Sequence, residues 1–157
     1  MFNTTIATQI YAKICFEATN SQKKIIENLS EYLSDDDFSR IFVLNGFAGT
    51  GKTTLIAAVV AALKELRIKP VLLAPTGRAA KVLARYCGEQ ALTIHKRIYR
   101  QRTNADYESK FSLDFNREQG AVFIVDEASM LSDSTGDGAL FGSGSLLEDL
   151  SLIHISE

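Results

Sequence analysis

Apolar residues recur along this chain in two rhythms. The first is helical. Between Thr4 and Cys15, residues Ile6, Ile10 and Ile14 stand four apart and form one stripe of a short helix. Glu17-Ala18-Thr19-Asn20-Ser21 interrupts that pattern, and a second helix follows from about Ser21 to Leu33, with Ile25, Ile26, Leu29 and Leu33 on one face. Ser34-Asp35-Asp36-Asp37 reads as a solvated turn. A longer helix starts at Lys52 and keeps Leu55, Val59, Leu63 and Leu66 inward. It stops before Pro70, because the residue preceding a proline avoids the α region. Two shorter helices are predicted at Arg78–Tyr86, ended near Gly88, and at Thr93–Arg100.

The second rhythm consists of short runs that are apolar throughout: Ile41–Leu44, Val71–Ala74 and Ala121–Val125. Such runs suit strands covered on both faces. Strands alternating with helices predict an α/β fold, a parallel sheet with helices on both faces, whose ligands bind at the C-terminal strand edge. Gln101–Gln119 is polar and aperiodic, a long connection or small insertion, and Ser132–Ser145 holds four serines and four glycines, the composition of a flexible loop.

Bulk properties narrow the class. A length of 157 residues suggests one domain with a proper core. No apolar run reaches the roughly 20 residues that span a bilayer, and Met1–Thr5 has neither a basic start nor a cleavage site, so a cytoplasmic protein with no membrane partner is expected. Cys15 and Cys87 have no metal-ligand spacing and read as reduced thiols acting as small hydrophobes. The formal net charge of −2 conceals an asymmetry: residues 64–102 hold ten basic and two acidic side chains, a net of +8, against −10 elsewhere. Such a basic middle suits a polyanion, or it is a set of solvated helix faces.

Gly46-Phe47-Ala48-Gly49-Thr50-Gly51-Lys52-Thr53 is a complete G-x-x-x-x-G-K-[ST] phosphate loop, set between an apolar run and an amphipathic helix, and Thr54 continues it. In this motif backbone N–H groups wrap the phosphates of a nucleotide such as ATP. Lys52 reaches the β- and γ-phosphates, the Thr53 hydroxyl meets Mg²⁺, and the helix dipole favours the same anion. Asp126 and Glu127 close the third apolar run. Adjacent carboxylates there suit phosphoryl transfer to water, with Asp126 assigned to the Mg²⁺ shell and Glu127 to the attacking water. Lys52, Asp126 and Glu127 are the catalytic candidates. Asp133, Thr135, Asp137 and Gly138 imitate the start of a calcium loop, but its twelfth position would be Gly144 instead of the required glutamate, so calcium is rejected.

Four segments in order, GFAGTGKTT from Gly46, APTGRAAKVL from Ala74, TIHK from Thr93 and VDEASM from Val125, resemble motifs I, Ia, Ib and II of superfamily 1 DNA helicases of the RecD/Dda type. The resemblance covers roughly Thr19 to Leu150. It implies the first RecA-like P-loop NTPase domain of an enzyme that hydrolyses ATP to move along single-stranded DNA. It also implies adenine recognition by Gln22, although Thr19-x-x-Gln22 equally spells a capping box. Thr76, Gly77 and Arg78 would meet the DNA backbone, with Thr76 as a helix N-cap the alternative or companion reading. Thr93 and His95 match a DNA-proximal motif, where His95 could equally be a packed, hydrogen-bonded residue.

The resemblance further implies a second RecA-like domain, with a γ-phosphate-sensing glutamine and arginines, that nothing after Met130 matches. The expectation is an N-terminal helix over residues 1–18, a C-terminally incomplete motor domain over 19–150, and a non-native tail over 151–157. ATP binding with feeble turnover follows, since an arginine finger contributes about 10³–10⁵ in rate. Another P-loop ATPase, such as a small-molecule kinase or AAA-type machine, and a non-enzymatic nucleotide- or DNA-binding module are the competing readings.

Overall fold

A computed structural model describes residues 2–35, 40–102, 110–113 and 120–131. The expected Ser132–Ser145 loop, the rejected calcium motif and the tail over 151–157 lie outside the described residues.

Chain contacts divide the molecule into two compact units, Met1–Pro70 with Arg85–Gly88, and Val71–Ala84 with Glu89 onward. The first is built on three helices, α1 (Phe2–Lys13), α2 (Asn20–Leu33) and α3 (Lys52–Glu65). α1 packs on both α2 and α3. Its predicted stripe is the reason: Ile6 and Ile10 are fully buried, each stabilising the unit by about 1.5–3 kcal/mol. α2 buries Ile26 and begins with a complete capping box, in which Thr19 Oγ1 accepts from the Gln22 N–H (3.3 Å) and Gln22 Oε1 accepts from the Thr19 N–H (2.9 Å). On α3, Leu55, Val59 and Leu63 face inward as their spacing predicts, and Ala58, Val60 and Ala62 join them.

The run Ile41–Leu44 is a correction. It is apolar, yet it forms no strand, and Ile41 and Val43 are 74% and 70% exposed. A strand exists only where a neighbour takes its backbone N–H and C=O groups. Among the described residues no strand pairs with this segment. What holds it is local: Tyr32 donates its hydroxyl to the Arg40 carbonyl (2.8 Å) and its ring lies 5.6 Å from that of Phe42.

The second unit carries a three-stranded parallel sheet in the order β2-β1-β5, formed by β1 (Pro70–Ala74), β2 (Ala91–Thr93) and β5 (Val122–Val125). The α/β class expected from the sequence is the class found. β1 starts on Pro70, where no ladder N–H is needed. Leu72, Leu73 and Ala74 are consecutive and all buried, so both faces of β1 are covered. β1 pairs with β2 in the register Leu72↔Ala91 to Ala74↔Thr93. Between them runs α4 (Gly77–Cys87), and after β2 comes the five-residue α5 (Ile94–Ile98). Leu73, Ile94, Ile98 and Tyr99 form the buried centre, with Val71, Leu92, Phe123, Val125 and Leu131 packed against it.

Two further corrections fall in this unit. The helix expected over Thr93–Arg100 is only α5, because Ala91–Thr93 is drawn into the sheet and Tyr99–Arg102 becomes β3. The stretch Gln101–Gln119 is not wholly aperiodic: Lys110–Leu113 is β4, antiparallel to β3 from Tyr99↔Leu113 to Arg102↔Lys110.

Candidate functional site

The phosphate loop lies between the irregular segment and α3. Its glycines have specific tasks. Gly49 and Gly51 adopt φ of +77° and +82°, left-handed conformations in which a Cβ would crowd the following carbonyl oxygen. Left-handed residues alternating with others curl successive N–H groups into an anion-binding concavity. At Gly46 a Cβ would stand 3.0 Å from Thr50 Oγ1, too close unless that hydroxyl moves. Thr50 in turn closes the loop, donating its N–H (3.4 Å) and its hydroxyl (2.8 Å) to the Phe47 carbonyl.

α3 begins on Gly51 with no side-chain cap, and the Leu55 N–H is the first to find a partner one turn back, the Gly51 carbonyl (2.9 Å). The N–H groups of Lys52, Thr53 and Thr54 therefore have no partner within the helix. Lys52 folds its ammonium over the loop, donating to the Gly46 carbonyl and to the Phe47 carbonyl (2.8 Å). Uncapped helix donors, a backbone concavity and an ammonium at its mouth are the donor set that nucleotide phosphates require. Phe47, Ala48, Gly49 and Thr50 are exposed, while Lys52 and Thr53 are half-buried.

Gln22 belongs to this loop in a way its sequence position gave no sign of. Its Oε1 serves the capping box, and its Nε2 donates to the Thr50 carbonyl (3.4 Å), 28 residues away. The capping-box reading is present, and the same side chain also ties α2 to the phosphate loop.

The second unit gathers the remaining candidates at the C-terminal edge of its parallel strands. After β1, Thr76 caps α4 by accepting the Ala79 N–H (3.2 Å), and Thr76, Gly77 and Arg78 are exposed. After β2, Thr93 caps α5 by accepting the Lys96 N–H (3.2 Å). His95 is exposed and its ring lies 5.7 Å from that of Tyr99, so it is not a core histidine. After β5, the Asp126 N–H donates to the Leu73 carbonyl (3.0 Å), which anchors the strand end. Asp126 Oδ1 accepts the Glu127 N–H (3.0 Å). Glu127 is left-handed at φ 56°, and this turns the chain sharply into the 3₁₀ turn Ala128–Met130. For a glutamate that conformation costs about 1–2 kcal/mol. Asp126 is half-buried and Glu127 exposed. Among the described residues no cluster of three or more His, Cys, Asp or Glu is placed to hold a metal by itself, so a cation here would need further oxygens, such as those of a nucleotide.

Taken with the parallel sheet, this loop defines a P-loop nucleotide-binding domain of α/β class. Comparison with known proteins agrees. Residues 17–140 match the AAA domain family. The ATP-dependent RecD2 DNA helicase of Deinococcus radiodurans is 30% identical over 114 residues, which is 73% of this chain and 15% of that protein. The ATP-dependent DNA helicase dda of Enterobacteria phage T4 is 37% identical over 92 residues, 55% of this chain and 20% of that protein. The chain belongs to the AAA domain family and is a superfamily 1 helicase P-loop domain. It spans about a fifth or less of the length of these relatives. Among the described residues no helix is long and apolar enough to cross a membrane.

Proposed function

We propose that this chain is the Mg·ATP-binding motor domain of an ATP-dependent DNA helicase, working in the cytoplasm in DNA repair or recombination, together with a second RecA-like domain. The observation that carries the reading is the uncapped start of α3 under the Lys52 ammonium. Lys52 would leave the Gly46 and Phe47 carbonyls for the β- and γ-phosphates, exchanging neutral acceptors for anionic ones. The N–H groups of the Gly46–Thr54 loop would hold the remaining phosphate oxygens. Thr53 and Asp126 would hold Mg²⁺, which supplies charge neutralisation at the γ-phosphate. Glu127 would accept a hydrogen bond from the attacking water and orient it in line with the departing diphosphate. Gln22 would turn its amide to the adenine edge, releasing the Thr50 carbonyl. Thr76, Gly77, Arg78, Thr93 and His95 would contact single-stranded DNA, chiefly its phosphates, which position a strand without reading its sequence.

Titration with a fluorescent ATP analogue tests the reading. Binding is expected to tighten when Mg²⁺ replaces EDTA, and Asp126→Asn should remove most of that gain while leaving metal-free binding intact. A chain that binds no nucleotide with Mg²⁺ present would sink the proposal.

A further inference from the structure

Asn45 stands immediately before the phosphate loop and is the only one of the chain's six asparagines that a glycine follows. Asparagine is thermally labile, because its side-chain carbonyl lies within reach of the next residue's backbone nitrogen. The following residue decides how readily the two react. A side chain there shields the nitrogen and restricts the turn that brings the groups together, and glycine does neither. Regular structure also prevents that turn. Asn3, Asn20 and Asn28 sit in α1 and α2, whereas Asn45 and Gly46 belong to the irregular segment and are exposed. With Phe47 they line an open recess of about 450 Å³ that water can enter. Among the described residues neither the Asn45 side chain nor the Gly46 N–H has a hydrogen-bond partner. The Lys52 ammonium rests on the Gly46 carbonyl, and a cation so near favours the nitrogen anion that begins the attack.

We propose that Asn45-Gly46 is a self-modification site: Asn45 deamidates through a cyclic imide, the product weakens the phosphate loop, and bound nucleotide protects against it. The Gly46 nitrogen attacks Asn45 Cγ, so that an N–Cγ bond forms and the Cγ–Nδ2 bond breaks. Nδ2 departs as ammonia with the proton from Gly46. Water then opens the imide at either carbonyl to give aspartate or isoaspartate. One water is consumed, one ammonia is released, and nothing is oxidised or reduced. Aspartate puts a carboxylate at the entrance of a loop built for phosphate, and like charges repel. Isoaspartate also adds one atom to the backbone directly before Gly46, whose carbonyl receives Lys52. Position 46 offers no escape, since a Cβ there would stand 3.0 Å from Thr50 Oγ1. The protection rests on the nucleotide reading above: phosphates would draw Lys52 off the Gly46 carbonyl and hold the loop's N–H groups in place.

The full chain, kept in mildly alkaline buffer at physiological temperature and mapped by peptide mass spectrometry at intervals, tests the proposal. The peptide carrying Asn45 should gain the mass of an amide-to-acid exchange. It should do so at least about tenfold faster than those carrying Asn3, Asn20 or Asn28, which react only through local helix opening. Mg·ATP at about ten times its dissociation constant should slow the reaction about tenfold, the factor by which the free chain is depleted. Asn45→Asp should bind a fluorescent ATP analogue about tenfold more weakly with an unchanged melting curve. Asn45→Gln, whose longer side chain closes a larger ring more slowly, should keep both its mass and its affinity. If Asn45 reacts no faster than the helical asparagines, the site is wrong whatever the chain binds. If the parent binds the analogue, yet Mg·ATP gives no protection and Asn45→Asp binds equally well, the nucleotide reading stands and the link to the loop is overturned. If the parent binds no nucleotide, the nucleotide reading and the protection fail together, and only the faster deamidation survives.

Discussion

Among the described helices, α2, α4 and α5 each begin on a threonine that caps them, and α3 does not. Thr19, Thr76 and Thr93 accept the N–H three residues on and close the starts of α2, α4 and α5. α3 begins on Gly51, which has no side chain to offer and sits at φ +82°. Each threonine cap contributes about 1 kcal/mol to its helix. At α3 the chain forgoes that contribution and adds a left-handed backbone besides. The difference separates helix ends that are complete in themselves from one whose donors remain for a ligand. It also qualifies the DNA candidates: Thr76 and Thr93 use their hydroxyl oxygens for caps, so any phosphate they meet receives the hydroxyl hydrogen, a second bond that the cap leaves available.

The largest expected effect lies at the uncapped end. Lys52→Ala should weaken Mg·ATP binding by about 3 kcal/mol, roughly a hundredfold, since it removes charge-assisted bonds to phosphate. The melting temperature should barely move, because the ammonium meets only exposed carbonyls of the loop. Isothermal titration with a parallel melting curve checks both halves. A large fall in stability with intact affinity would mean that Lys52 holds the loop together and does not serve a ligand.

Gly51→Ala comes next, and here stability and binding should fall together. The residue would carry a Cβ at φ +82°, and that Cβ would stand 3.3 Å from Gln22 Nε2. The expected loss is about 1–2 kcal/mol of folding free energy, or a few degrees in a chain of this size. A variant with unchanged melting and unchanged affinity would show that the left-handed turn is not needed.

These two residues also mark what the sequence could reveal. Gly46–Thr53 was legible because a contiguous motif carries both its backbone geometry and its chemistry. The helices were legible from stripes such as Ile6 and Ile10, since burial selects residues one turn apart. Ile41–Leu44 misled, because apolar composition says that a run wants cover but cannot say which strand will pair with it. β3 and β4 were missed for the converse reason. Tyr99–Arg102 is mostly polar, and its ladder is set by pairing with residues about ten positions on. The period-two alternation of Lys110-Phe111-Ser112-Leu113 was the available signal. The link from Gln22 to the Thr50 carbonyl left no trace at all, as no local pattern encodes a contact 28 residues long.

The capped ends allow a sharper contrast. Thr19→Ala and Thr93→Ala should each cost about 1 kcal/mol of stability, some 2–4 °C, while Thr→Ser at either site should cost far less. Thr93→Ala should leave nucleotide affinity unchanged. Thr19→Ala should disturb it slightly, because Gln22 loses its capping partner and with it the fixed approach to Thr50. Melting curves with paired titrations separate the two, and equal effects on affinity would break the contrast.

The smallest expected effect is at the other end of α3. There the chain leaves the helix through Arg67 at φ 60°, with the Ile68 N–H bonded to the Leu63 carbonyl (2.9 Å) and the Arg67 N–H to the Lys64 carbonyl (3.0 Å). α4 leaves through Gly88 at φ 65°, the same conformation with the residue that suits it. Arg67→Gly should therefore stabilise the chain by about 0.5–1 kcal/mol, and Gly88→Ala should destabilise it by a similar amount. The arginine is exposed, so little packing is lost with it. Opposite shifts of about 2–4 °C in the two melting curves are the expected outcome. If Arg67→Gly lowers the melting temperature instead, the guanidinium does something for stability that outweighs its backbone strain, and the two helix ends are not equivalent.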